Sequence, residues 1–119
     1  MSDRIPIKVL EDCREYYNNQ EGRKYPCSNQ IVCCGIFTSN RDKAIGFMKN
    51  KDIIEKQERK DSITWHLNNG EKWIWMNWNE SHRGHRFYKV AVDRDIDRNI
   101  FECIVMPYTG LYCCSFEII

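Results

Sequence analysis

The stretch Ser62–Trp78, SITWHLNNGEKWIWMNW, constrains the fold more than any other part of the chain. Two alternating segments flank Asn69-Gly70, a dipeptide that favours the left-handed backbone of a tight type I′ turn. With those two residues as the whole loop, Ile63 faces Met76, Trp65 faces Ile74 and Leu67 faces Lys72. That pairing turns one largely apolar face toward a core. The opposite face then carries Thr64 across from Trp75 and His66 across from Trp73, with Asn77 beyond. Two tryptophans beside a histidine on an outward face require something to cover them.

Elements on either side of the hairpin follow from periodicity. Ile7, Leu10, Cys13 and Tyr17 recur at helical spacing, which predicts an amphipathic helix over about 7–19. Ile31–Phe37 is a continuous apolar run, short and β-branched at its start, and reads as a strand buried on both faces. Thr38-Ser39-Asn40 supplies an N-cap for a helix through DKAIGFMKNKDIIEKQ, with Ala44, Phe47, Met48 and Ile54 as its inward stripe. Gly46 costs that helix about 1 kcal/mol relative to alanine. Phe87–Asp93 is a further strand, and Asp97 caps a short helix over Asn99–Val105 that Pro107 stops. Thr109-Gly110 turns the chain into a last strand, Leu111–Ile118. The expected fold is α/β or α+β: a small mixed sheet containing the 62–78 hairpin, packed by two or three helices, in one domain over residues 1–119.

Composition bounds the partners. The 119 residues carry a net charge of +1, with 42% hydrophobic and 29% charged side chains. That balance gives no whole-molecule field to hold nucleic acid, and it is equally unlike an acidic DNA mimic. No apolar run reaches membrane-spanning length and MSDRIPIKVLEDC has no signal-peptide core, so the expected place is the cytosol, with no membrane partner. The seven cysteines include the adjacent pairs Cys33-Cys34 and Cys113-Cys114. Neighbours on a strand point to opposite faces, so reduced, mostly buried thiols are expected in place of a disulfide framework.

Three groups of residues imply a family. Ser62–Gly70, then Asn79-Glu80-Ser81-His82-Arg83-Gly84, then Val90-Ala91-Val92-Asp93 give Ile31–Pro107 a pattern that resembles part of the ATPase core of phage terminase large subunits. In that family a hairpin of the form Ile-x-Phe-x-Asn-Gly precedes an Arg-Gly turn and a strand ending in a metal-binding aspartate, the place of Asp93 here. Two departures remove the chemistry. No G-x-x-x-x-G-K-[ST] loop exists to cradle phosphates, and Arg94 stands where a second acid would follow Asp93. The resemblance therefore implies a non-hydrolysing relative, a phage or prophage accessory protein in the cytosol of its host cell.

Other constellations are weaker. His82-x-x-His85 with the cysteine pairs lacks the C-x-x-C spacing of zinc sites, so no metal and no cofactor is expected. Cysteines in apolar runs make poor nucleophiles, and no catalytic residue is assigned. Asp93, Asp95 and Asp97 read as a salt-linked turn, neutralised by Arg94 and Arg98. The binding candidates are Trp73, Trp75 and His66 with Arg83, Gly84, His85 and Arg86. Arginine forks grip phosphate or carboxylate, tryptophan stacks, and Gly84 admits a close backbone approach. The competing account packs the tryptophans under a helix and pairs the arginines with Glu80 or Asp93.

These features favour a non-enzymatic, phage-type binding protein that blocks a host antiviral system in the manner of an anti-CRISPR inhibitor. Its partner would be a host protein or a protein–nucleic-acid complex. The alternatives are a nucleotide-binding sponge or sensor and a degenerate ATPase- or nuclease-like domain. A Trp73/Trp75 face could also form the seam of a homodimer.

Overall fold

The apolar run after residue 31 becomes the central strand β1 (Val32–Phe37). It has parallel neighbours on both sides, β4 (Glu71–Met76) and β5 (Lys89–Val92). A strand so placed has both faces covered, which is why it carries no charge and shows no alternation. The computed structural model describes residues 5–19, 32–78, 87–105 and 115–119. Its six-stranded mixed sheet runs β2-β3-β4-β1-β5-β6, with β2 (Ile53–Glu58) and β3 (Ser62–Leu67) antiparallel and β6 (Ser115–Ile118) parallel to β5. Helices α1 (Ile7–Asn18), α2 (Arg41–Met48) and α3 (Arg98–Ile100) complete a mixed α/β fold, α3 running on into a π-helical turn over Phe101–Val105. No helix among the described residues is long and apolar enough to cross a membrane.

Two cores lie on opposite faces of the sheet. Under α2, Ala44 and Met48 meet Cys34, Ile36, Ile63, Trp65, Trp73, Trp75 and Ala91. On the other face, Leu10 and Tyr17 of α1 and Ile104 beyond α3 meet Phe37, Val90, Val92 and Phe116. Asn18 fastens α1 to β6 with both ends of its amide: Nδ2 donates to the Phe116 carbonyl at 3.2 Å, and Oδ1 accepts from the Phe116 N–H at 2.8 Å. The Tyr17 and Phe116 rings stack beside this contact, 5.8 Å apart.

Two expectations need correction. The hairpin register is shifted by one residue: Trp65 pairs with Trp73, Ile63 with Trp75 and Ser62 with Met76. Its loop is three residues, Asn68-Asn69-Gly70, with Gly70 at φ 90°. The Gly70 N–H closes the turn on the Leu67 carbonyl at 3.2 Å, and Asn69 Oδ1 accepts from the Glu71 N–H at 3.0 Å. A type I turn followed by a left-handed glycine is the usual three-residue solution. Because side chains alternate, one extra loop residue turns every β4 side chain over relative to β3. Trp73 and Trp75 therefore lie on the core face with Trp65, and Thr64 and His66 lie on the other.

The second correction concerns residues 42–57. The helix ends at Met48, and Ile53–Glu58 becomes edge strand β2 along β3, leaving Ile54 66% exposed where an inward residue was expected. Gly46, Asn50 and Asp52 are weak helix formers, while the β-branched Ile53-Ile54 gains a ladder on the otherwise open edge of β3. Tertiary pairing outweighs the helical stripe. At its start α2 follows expectation, with Asn40 Oδ1 accepting from the Lys43 N–H at 3.2 Å. Asp97 likewise caps α3, accepting from the N–H groups of Asn99 and Ile100 at 2.9 and 3.4 Å.

Candidate functional site

Strand β1 leads into α2 on one face of the sheet, and its parallel neighbour β5 leads toward α3 on the other. The carboxyl ends of two such strands diverge, and the crevice between them is where open α/β sheets bind ligands. Thr38 ends β1, Lys43 lies in the first turn of α2, and Asp93 ends β5. Asp93 Oδ2 accepts from the Thr38 hydroxyl at 2.5 Å, and Oδ1 accepts from Lys43 Nζ at 2.8 Å and from the Asp95 N–H at 2.9 Å. Thr38 and Asp93 are both 5% exposed. Burial acts to raise the Asp93 carboxyl, but the bonds from Lys43, Thr38 and the Asp95 N–H outweigh it and hold the group below its ordinary range.

Two tryptophans seal the same end of the sheet. Trp75 Nε1 donates to the Thr38 carbonyl at 2.9 Å, and Trp78 Nε1 to the Ile36 carbonyl at 2.6 Å. What remains is a crevice of about 120 Å³, with Ser39, Asn77, Asp95 and Asp97 among its lining residues. Small-molecule sites usually measure about 300–1,000 Å³. Arg41 is spent on structure: it bonds the carbonyls of Arg59 and Lys60 at 3.0 and 2.7 Å and Glu58 Oε1 at 2.7 Å, tying the β2–β3 turn to α2.

At the amino ends of the strands, Glu71 of β4 and Lys89 of β5 form an ion pair of 2.6 Å across the central strand. Trp73 Nε1 donates to the second Glu71 oxygen at 3.0 Å. Burial opposes the Glu71 charge, yet the bonds from Lys89 and Trp73 hold its carboxyl below the ordinary range. Cys34 lies in the core beside this bridge, and burial, then the Glu71 charge, push its thiol far above the range in which a thiolate forms.

Of the sequence candidates the structure describes three, and these do not share one face. Trp73 and Trp75 are 2% and 5% exposed inside the α2 core, and half-buried His66, on the opposite face, pairs in register with Lys72. Their burial matches the packed account of the tryptophans, and the outward face shared with His66 does not form. Arg83, Gly84, His85 and Arg86 lie outside the described residues, as do His82, Cys113 and Cys114. Among the described residues no three His, Cys, Asp or Glu side chains gather as metal ligands, and Cys13, Cys33 and Cys34 are free thiols.

The acid–base partners of the aspartate turn also differ from expectation. Lys43 neutralises Asp93, while Arg94 Nε donates to the Ile119 carbonyl at 3.3 Å and Arg98 pairs with Glu102 at 3.5 Å. Sequence reasoning missed Thr38, Lys43, Glu71 and Lys89. One signal was available for Glu71, an acid on the same face of the strand as Trp73 and Trp75. Comparison of the chain with protein-family models, curated proteins and solved structures finds no match.

Proposed function

We propose that the chain is a non-catalytic binding protein of phage type, acting by occupying a component of a host antiviral system as an anti-CRISPR inhibitor does. The observation that carries this reading is the internal satisfaction of Asp93. Its carboxylate takes a lysine, a hydroxyl and a backbone N–H from the fold itself. The lysine placed to meet a substrate phosphate is committed to that acid, and among the described residues no other cation lines the crevice to stabilise a transferring group.

Under this reading contact runs through Arg83, Gly84, His85 and Arg86, with His66 as a further candidate, while Trp73 and Trp75 support the scaffold from within. The test is plasmid interference in cells carrying a CRISPR effector. Expression of the chain should restore transformation by a targeted plasmid, and Arg83→Glu with Arg86→Glu should abolish that protection without changing the melt. Undiminished interference across the effector types tested would sink the proposal.

A second reading, a nucleotide sponge or sensor, is favoured by one observation, the crevice at the divergence of β1 and β5. Its small volume and the carboxylates of Asp95 and Asp97 oppose a phosphate ligand. Thermal shift against a nucleotide panel separates the two readings, since a ligand of the native state raises Tm.

A further inference from the structure

We propose that a second cavity, at the amino ends of the strands beside Glu71 and Lys89, binds a small zwitterion of the amino-acid type. This site lies at the opposite end of the central strands from the Asp93 crevice and does not depend on the inhibitor reading. Its volume of about 340 Å³ falls within the roughly 300–1,000 Å³ of small-molecule sites. Lys51, Asp52, Asn68, Asn69, Glu71 and Lys89 contribute to its wall.

The charges on that wall cancel, two lysines against two acids. A polyanion gains no net attraction from such a surface, whereas a ligand bearing one charge of each sign gains at both ends. Trp73 fixes the spacing. The Lys51 ammonium sits 5.1 Å from the Trp73 ring centroid and 4.8 Å from that of Phe47, and it enters no ion pair among the described residues. The N–H edge of the same indole holds the Glu71 carboxylate at 3.0 Å. One rigid ring, itself packed in the core, thus positions a cation and an anion on one cavity wall.

Glu71 is only 7% exposed and is held from behind by Lys89 and Trp73. A carboxylate has about four lone-pair sites, so the bonds from Lys89, Trp73 and Asn69 leave one able to accept from a ligand ammonium. Lys51 meets the ligand carboxylate, with Asn68 of the hairpin loop as an amide partner. Because both charges are set in place before binding, little ordering cost remains.

The test follows the Trp73 indole N–H resonance by NMR, together with Tm, during titration with glycine, L-serine and L-glutamine. Acetate, methylammonium and ATP serve as controls. The amino acids should shift the resonance and raise Tm while the controls do neither. Lys51→Met should weaken binding about tenfold or more, as expected for losing a charged hydrogen bond. Glu71→Gln should do the same if it folds, and Lys51→Met keeps the test decisive if it does not. Equal response to acetate would show a plain anion site. Response to none of the amino acids, or unchanged binding in Lys51→Met, would also overturn the assignment.

Discussion

Trp73 donates its indole N–H at 3.0 Å to the carboxylate of Glu71, two residues earlier on the same face of β4. The ring is 2% exposed, so it contributes both packing and the satisfaction of a buried charge. Trp73→Ala should cost about 3–5 kcal/mol from lost burial and the cavity left behind. Trp73→Phe keeps most of the apolar volume but strips a donor from the acid, a loss of about 1–3 kcal/mol. Urea unfolding of both variants checks the pair. A wild-type melt for Trp73→Ala would mean that the ring is not in the core.

The Lys43–Asp93 pair sets a pH dependence with a definite sign. The folded-state pKa of Asp93 lies below the ordinary 3.8, and that of Glu71 is lowered likewise. Their stabilisation is fully present above the unfolded-chain values and is lost as pH falls through the folded ones. Asp93→Asn should therefore destabilise the protein at neutral pH. The cost should be about 1–3 kcal/mol, below that of breaking a fully buried pair, since part of the Lys43 side chain stays in water. The deficit relative to wild type should shrink as the pH drops below about 4. Urea midpoints at neutral, mildly acidic and strongly acidic pH test this, and a deficit that stays constant would contradict it.

Gly70 carries the hairpin loop at φ 90°. Nothing crowds a Cβ there, so Gly70→Ala isolates the backbone cost of the left-handed conformation, about 1–2 kcal/mol. Deleting Asn69 is a harsher test. A two-residue loop restores the other register and turns Trp73 and Trp75 out of the α2 core. Loss of the cooperative thermal transition is expected, and retention of a native melt would show that the loop does not set the faces.

Gly35 lies under an aromatic pair. A Cβ at this position would come within 2.9 Å of the Phe37 ring and 3.1 Å of the Phe87 ring, and those rings pack edge-on at 5.4 Å. Gly35→Ala should cost about 1–3 kcal/mol through overpacking. The shift should appear in the denaturation midpoint with the slope unchanged.

The legible parts of this fold are those where one local signal had no competitor. The unbroken apolar run marked β1, Asp97 marked the start of the last helix, and Asn40 marked α2. The hairpin itself was legible but its register was not, because Asn69-Gly70 and Asn68-Asn69-Gly70 are both good turns. Only the three-residue choice buries Trp73 and Trp75 with Trp65, and that is settled by packing across the sheet. In sequence Ile54 reads as the last residue of a helical stripe begun by Ala44, Phe47 and Met48, and that continuation loses to pairing along β3. The Lys43–Asp93 and Glu71–Lys89 pairs join residues far apart in the chain, and no local period foretells which lysine meets which acid.

Asn18 lends β6 one donor and one acceptor, the same two groups a neighbouring strand would offer at Phe116. It acts as a stopper: at that point the sheet has no free rung on which another chain could climb.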